Sequence, residues 1–177
     1  MKKSLMILLL LFTFICCNNN PDKKKAQSLY DEINNLLDQK EQITKEISKQ
    51  PIIFSEENLK NFPSSHSELE LIANDQIRRF NEINKLDAIQ VDKLKQVETL
   101  PLQRNFLEET KLLRKLQEKR IENTQFGIEK FQLLLDKNIS TRSALEEKIA
   151  QIKQKQSKID LEIDQLENQR QTLKSNR

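Results

Sequence analysis

The chain has 177 residues, of which 36% are apolar and 32% charged, with one glycine, four prolines and no tryptophan. That balance is too poor in turn formers for many strands and hairpins and too rich in leucine, isoleucine, glutamate and lysine for disorder, so we expect an all-α protein. A formal charge of +3 gives no electrostatic case for a dedicated nucleic-acid binder, and a single glycine excludes a phosphate-cradling glycine loop.

The first stretch, MKKSLMILLLLFTFICCNNN, sets a positive end (Lys2, Lys3) before an apolar run from Leu5 to Ile15 and a cysteine pair, Cys16-Cys17. A spanning helix needs ~20 apolar residues, whereas a run of roughly 7 to 15 between a basic start and a processing site is the pattern of an export signal. The junction resembles the lipobox of bacterial lipoproteins, most closely the looser form of spirochaetal outer-surface lipoproteins, whose mature ends also run Cys-Asn-Asn. A small residue is wanted before the modified cysteine. Cys17 follows Cys16, while Cys16 follows β-branched Ile15, so the resemblance implies lipidation at Cys17. It departs from the pattern at Phe14, where leucine is usual. The other readings of this stretch are an ordinary secretory signal with a chance cysteine pair, or an uncleaved apolar anchor.

What the resemblance implies is a lipid-anchored cell-envelope protein, placed at the outer membrane by Asn18 after Cys17. It also implies an unknown protein partner, from the host or from the envelope itself. On this reading residues 1–16 are a signal peptide, 17–25 a lipidated flexible tether, and 26–177 a helical bundle. Loss of Lys2 and Lys3 with the signal leaves a formal charge of +1. With both cysteines at the junction, no thiol remains for a disulfide or a thiolate metal site.

A first helix is expected over about Ala26 to Lys49. Leu29, Ile33, Leu36, Ile43 and Ile47 recur at alternating fours and threes if Lys40 is admitted to the series. Pro51 ends it. The segment PIIFSEENLKNFP, 51 to 63, is unusually apolar for a connection. Ile52, Ile53, Phe54, Leu59 and Phe62 either plug one end of the bundle or form a patch that docks a partner, with Ile53, Phe54 and Phe62 its candidate residues.

A second helix starts after Ser65, where Ser65-His66-Ser67-Glu68 matches a capping box, and continues through Val97 with a broad apolar stripe. Pro101 either turns the chain, giving four antiparallel helices, or kinks one very long helix; we expect the turn. The third helix carries Leu102 to Leu135 and the one glycine, Gly127, where another helix is expected to approach closely; Asn138 should end it. The fourth, capped by Ser140 or Ser143, repeats Leu145, Ile152, Ile159, Leu166 and Leu173 every seven residues, interleaved with Ile149, Gln156, Ile163 and Arg170.

In a parallel homodimer of that last helix Lys148 would face Lys153 and Glu162 would face Glu167, both repulsive, and only Lys155 with Asp160 would attract. We therefore expect it to pack antiparallel on the chain's own helices. The fold class is an elongated antiparallel helical bundle, or coiled coil, of three to four long helices, as a monomer or weak homo-oligomer.

For catalysis the candidates are thin. His66, the one histidine, could act as a base, but it sits in a capping turn with no second histidine to build a ligand set. Glu56-Glu57, Glu108-Glu109 and Glu146-Glu147 are sequence neighbours whose side chains point about 100° apart on a helix. We expect no enzyme, no cofactor and no metal. Lys111, Arg114, Lys115 and Lys119 share a face that could hold a polyanion, yet Glu108, Glu118 and Glu122 lie among them, and the Arg114 to Glu118 spacing favours pairing within the helix.

Overall fold

A computed structural model describes residues 20–50, 54, 59, 60, 62 and 66–175, apart from the side chains of 66–68. Four long helices pack antiparallel as a bundle: α1 Pro21–Ile47, α2 His66–Glu98, α3 Arg104–Leu135 and α4 Arg142–Ser175. The chain around Pro101 is a turn, the expected alternative, and not a kink in one very long helix.

Helix α1 begins at Pro21, five residues before the expected start, so Pro21 to Lys25 are helix and not tether. The cause is local. Asn20 accepts a hydrogen bond from the Asp22 N–H at 2.8 Å, Pro21 occupies the first helical position, and Asp22 puts negative charge in the first turn. All three are start signals, because the first turn has free N–H groups and a positive dipole end. Residues 17–19 lie outside the described part.

Helix α2 starts directly after Ser65, as the capping pattern predicts, though the capping side chains themselves lie outside the described residues. Its end is a true reversal. The Leu100 N–H reaches the Val97 carbonyl at 3.1 Å, the Leu102 N–H reaches Leu100 at 2.8 Å, and α3 opens three residues after Pro101. Helix α3 stops at Leu135, short of Asn138, because Asp136 leaves the helical region and accepts the Asn138 N–H at 2.9 Å. The start of α4 is capped by Thr141, whose Oγ1 accepts from the Ala144 N–H at 3.2 Å, in place of the serines expected on either side.

Cross-helix pairs fix the register. Glu32 with Lys93, Lys40 with Asp87 and Glu46 with Arg79 run α1 against α2, and Glu109 with Arg170, Lys119 with Glu162 and Asp136 with Lys148 run α4 against α3. Helix α3 also runs antiparallel to α2, through Glu98 with Arg114, Asp87 with Gln117 and Phe80 with Gly127, so α1 and α3 are parallel, and Tyr30 meets Thr110 and Phe106 between them.

Two apolar clusters close the bundle at opposite ends. The basal cluster joins Ala26, Leu29, Tyr30 and Ile33 of α1 to Leu94, Val97 and Leu100, with Phe106 and Leu113 of α3 against it. The distal cluster joins Leu69 and Ala73 of α2, Leu134 of α3, and Leu145 and Ile149 of α4 to Leu59 and Phe62 of the connecting segment. Each outer helix is thus seated by burial at one end only: α1 at the base and α4 at the distal end. Gly127 of α3 faces the Phe80 ring of α2, but a Cβ there would meet the ring only at 3.7 Å, an ordinary contact, so the helices do not approach closely enough to require the glycine, contrary to expectation.

Candidate interaction face between the third and fourth helices

The sequence singled out five positions. Cys17 and Ile53 lie outside the described residues, as does the side chain of His66, which opens α2. Phe62 is buried in the distal cluster, and Phe54 packs against that cluster with its ring 5.2 Å from Phe131. This packing accounts for the apolar character of Phe54, Leu59 and Phe62, which would cost roughly 1.5 to 3 kcal/mol each if left in water.

Between the two clusters the interior is mixed, with buried polar groups set among Ile83, Val91, Leu116 and Ile128. Asp87 of α2 is fully buried and is bound by Lys40 of α1 at 2.5 Å and by the Gln117 amide of α3. Burial pushes the Asp87 carboxyl up and the Lys40 ammonium down, against the attraction between them. Further along α2, next to Ala73 of the distal cluster, Asp75 accepts from the Gln50 amide and also holds Arg78 and Arg79. Those hydrogen bonds keep the Asp75 carboxyl well below the usual carboxylate range.

A second buried acid, Glu109, is one of the paired acids noted in the sequence, but nothing there indicated its burial or its partners. Glu109 is 1% exposed, with Arg170 at 3.4 Å and Lys174 at 3.3 Å, both from the last turns of α4. Beside it Tyr30 and Thr110 share a 2.9 Å hydrogen bond, and burial, with the Glu109 charge adding to it, pushes the phenol up to about 12. In sequence Glu108 and Glu109 are indistinguishable neighbours. Only the cation four residues before Glu108, Arg104, hinted which of the two is spoken for on the surface, and it does pair with Glu108 at 2.8 Å.

Along α3 and α4 the contact is largely polar. Lys119 pairs with Glu162 at 2.8 Å, Arg120 with Glu167 at 3.0 Å, and Asn123 bridges Asp160 and Gln156, which also receives Lys130. The buried residues of α4 are confined to Leu145, Ile149 and Ile152. Gln156 and Arg170, the polar positions of its heptad series, therefore sit in the α3 seam with partners there.

The basic face of α3 is neutralised only in part. Arg114 pairs with Glu98 at 2.7 Å and with Glu118 at 2.8 Å, as its spacing predicts, and Lys119 binds Glu122 and Glu162. Lys111 and Lys115 are exposed and, among the described residues, have no acidic partner. They border an open groove of about 620 Å³ between the first turns of α3 and the last of α4, floored by Leu112 and Leu173. Among the described residues no three histidine, cysteine or acidic side chains gather as a metal site requires, and no helix is long and apolar enough to cross a membrane. Comparison with family models, with characterised proteins and with solved structures finds no match to the chain.

Proposed function

We propose that this chain is a lipid-anchored cell-envelope protein, attached at the outer membrane through Cys17, that acts by binding another protein and carries out no chemistry of its own. The observation that carries the reading is the position of Cys17. It closes a basic and apolar leader of export type, and only Asn18 and Asn19 separate it from the Asn20 cap of α1. Acyl chains at that residue would hold the base of the bundle close to the lipid surface. One acyl chain holds a protein marginally, and two or more make the attachment stable.

The resemblance to spirochaetal surface lipoproteins supports a surface ligand-binding or adhesin-like role. A second reading, a periplasm-facing scaffold or assembly protein of an envelope complex, is favoured by the basal position of the α3/α4 groove. Thr110 beside that groove is level with Tyr30, nine residues into α1 and so roughly 14 Å from its start at ~1.5 Å per residue.

Mass spectrometry of the mature protein tests the anchor: the N-terminal residue should be an acylated Cys17, and Cys17→Ala should release the protein from membranes. An unmodified N-terminus elsewhere would sink the reading. Protease added to intact cells then separates the two roles, since removal of the bundle supports the surface role and protection supports the scaffold.

A further inference from the structure

We infer that the groove between the start of α3 and the end of α4 docks an acidic amphipathic helix of a partner protein. Its floor is apolar, from Leu112 and Leu173, and its walls are uncharged polar groups, Gln169 and Thr172, on the α4 side and Lys111 and Lys115 on the α3 side. The inference deepens the protein-binding role proposed above and names the chemistry of the partner.

Most cations of α3 already hold a partner. On α3, Arg104, Arg114, Lys119 and Arg120 each hold a carboxylate, and Lys130 donates to Gln156. Lys111 and Lys115 alone among the described cations of this helix hold nothing, and both line the groove. They are four residues apart, so they project from one side of α3 about one turn apart. The acid nearest them in the groove wall, Glu108, is committed to Arg104. The groove therefore presents two free positive charges on one edge of an apolar strip.

An amphipathic helix fits that pattern. Leucine-type anchors at i, i+3 or i+4 and i+7 would lie on Leu112 and Leu173, as in other helix-in-groove complexes, and acids one turn apart would meet the two lysines. Charge of opposite sign at the rim sets orientation and association rate, while the apolar contact supplies residence. A linear polyanion would satisfy the lysines but leave the apolar floor without purpose.

The test uses the full chain in detergent and labelled synthetic peptides. One is a helical peptide with leucines at i, i+3 and i+7 and glutamates on the flanks; the others are its scrambled form and its lysine counterpart. Heparin serves as the polyanion probe. The expected result is binding of the acidic amphipathic peptide at least tenfold tighter than either other peptide. Lys111→Glu with Lys115→Glu should remove that preference and shift it towards the lysine peptide, and the Lys111→Gln, Lys115→Gln pair should weaken it without reversing it. Both lysines are exposed, so helicity by circular dichroism should be unchanged.

Equal binding of the scrambled peptide, no binding of the acidic peptide, or heparin binding that outcompetes it and ignores Leu173→Gln would each overturn the inference. Acylation of Cys17, read by mass on the same preparation, is independent of these outcomes, so failure of the anchor and failure of the groove are told apart.

Discussion

Lys40 of α1 and Asp87 of α2 meet at 2.5 Å inside the bundle, in the mixed layer between its basal and distal apolar clusters. Lys40 occupies the position in the α1 stripe where a seventh-residue repeat would place an apolar side chain. A buried pair of this kind is weak evidence for stability, because desolvation offsets most of the attraction, but removing one partner strands the other. Lys40→Met should therefore cost about 3 to 5 kcal/mol. Lys40→Met with Asp87→Leu should recover most of that loss, less roughly 1 kcal/mol for the Gln117 amide that loses its acceptor. Urea denaturation measures both, and a double variant as unstable as the single one would contradict the assignment.

Tyr30 is the one tyrosine of the chain, so its ionisation can be followed by absorbance without interference. Thr110 donates to the Phe106 carbonyl at 2.9 Å, which leaves Tyr30 to donate to Thr110. The folded phenol is raised to about 12 from an ordinary value near 10. A raised folded pKa contributes stability that is complete below the unfolded value and is lost as pH rises through the folded one. The bundle should thus lose about 2 to 3 kcal/mol between roughly pH 10 and pH 12. Tyr30→Phe should abolish the tyrosinate signal and flatten that part of the stability profile. A phenol titrating near 10 in the folded protein would show that Tyr30 is not buried as described.

The apolar seams of α2 and the heptads of α4 were legible because a helix repeats its buried face every three or four residues, and Pro101 was legible because proline interrupts that repeat. The antiparallel sense of α4 followed from repulsions such as Lys148 with Lys153. What sequence could not supply was pairing across helices. Lys40 stood out as an odd member of the α1 seam, but nothing local named Asp87 as its partner. Glu109 and Glu108 read alike, and Lys111 and Lys115 read like Arg114 and Lys119. The acids that separate them, Glu98 and Glu162, come from other helices. Likewise the α4 repeat runs unbroken to Leu173, yet burial stops at Ile152, because burial depends on how many neighbours reach that far.

Phe62 carries the closure of the distal end. It is 7% exposed among Leu59, Leu69, Leu134 and Leu145. Truncating a buried phenylalanine costs about 3 to 5 kcal/mol through lost transfer energy and the cavity left behind, so Phe62→Ala should fall in that range. Phe54 is only half-buried against Phe131, and Phe54→Ala should cost less than half as much. Melting curves for the two variants that do not move would remove the plug and return these rings to a docking role.

Gly127 offers a gain. The Cβ of an alanine there would lie 3.7 Å from the Phe80 ring, an ordinary contact that displaces nothing. A glycine inside a helix costs ~1 kcal/mol relative to alanine, so Gly127→Ala should stabilise the protein by about that amount. Destabilisation by thermal melting would mean that α2 and α3 approach more closely than this geometry gives.

The two ends of α4 should differ in stability and in response to salt. Leu145, Ile149 and Ile152 seat its first turns in the distal cluster, where exclusion of water does not depend on ionic strength. Beyond them the contacts to α3 include Lys119 with Glu162 and Arg120 with Glu167. These side chains are 29 to 47% exposed, and pairs of that kind contribute about 0 to 1 kcal/mol and are screened by salt. At the far end Arg170 and Lys174 reach the buried carboxylate of Glu109, where screening is weaker, so this contact acts as a pin. Hydrogen exchange should therefore be slowest over 145–152 and faster over 156–168, and only the latter should accelerate at high salt. Glu109→Gln should release the pin and extend the salt-sensitive segment to Ser175. Uniform protection along α4 in the variant at high salt would show that burial, not charge, holds its second half.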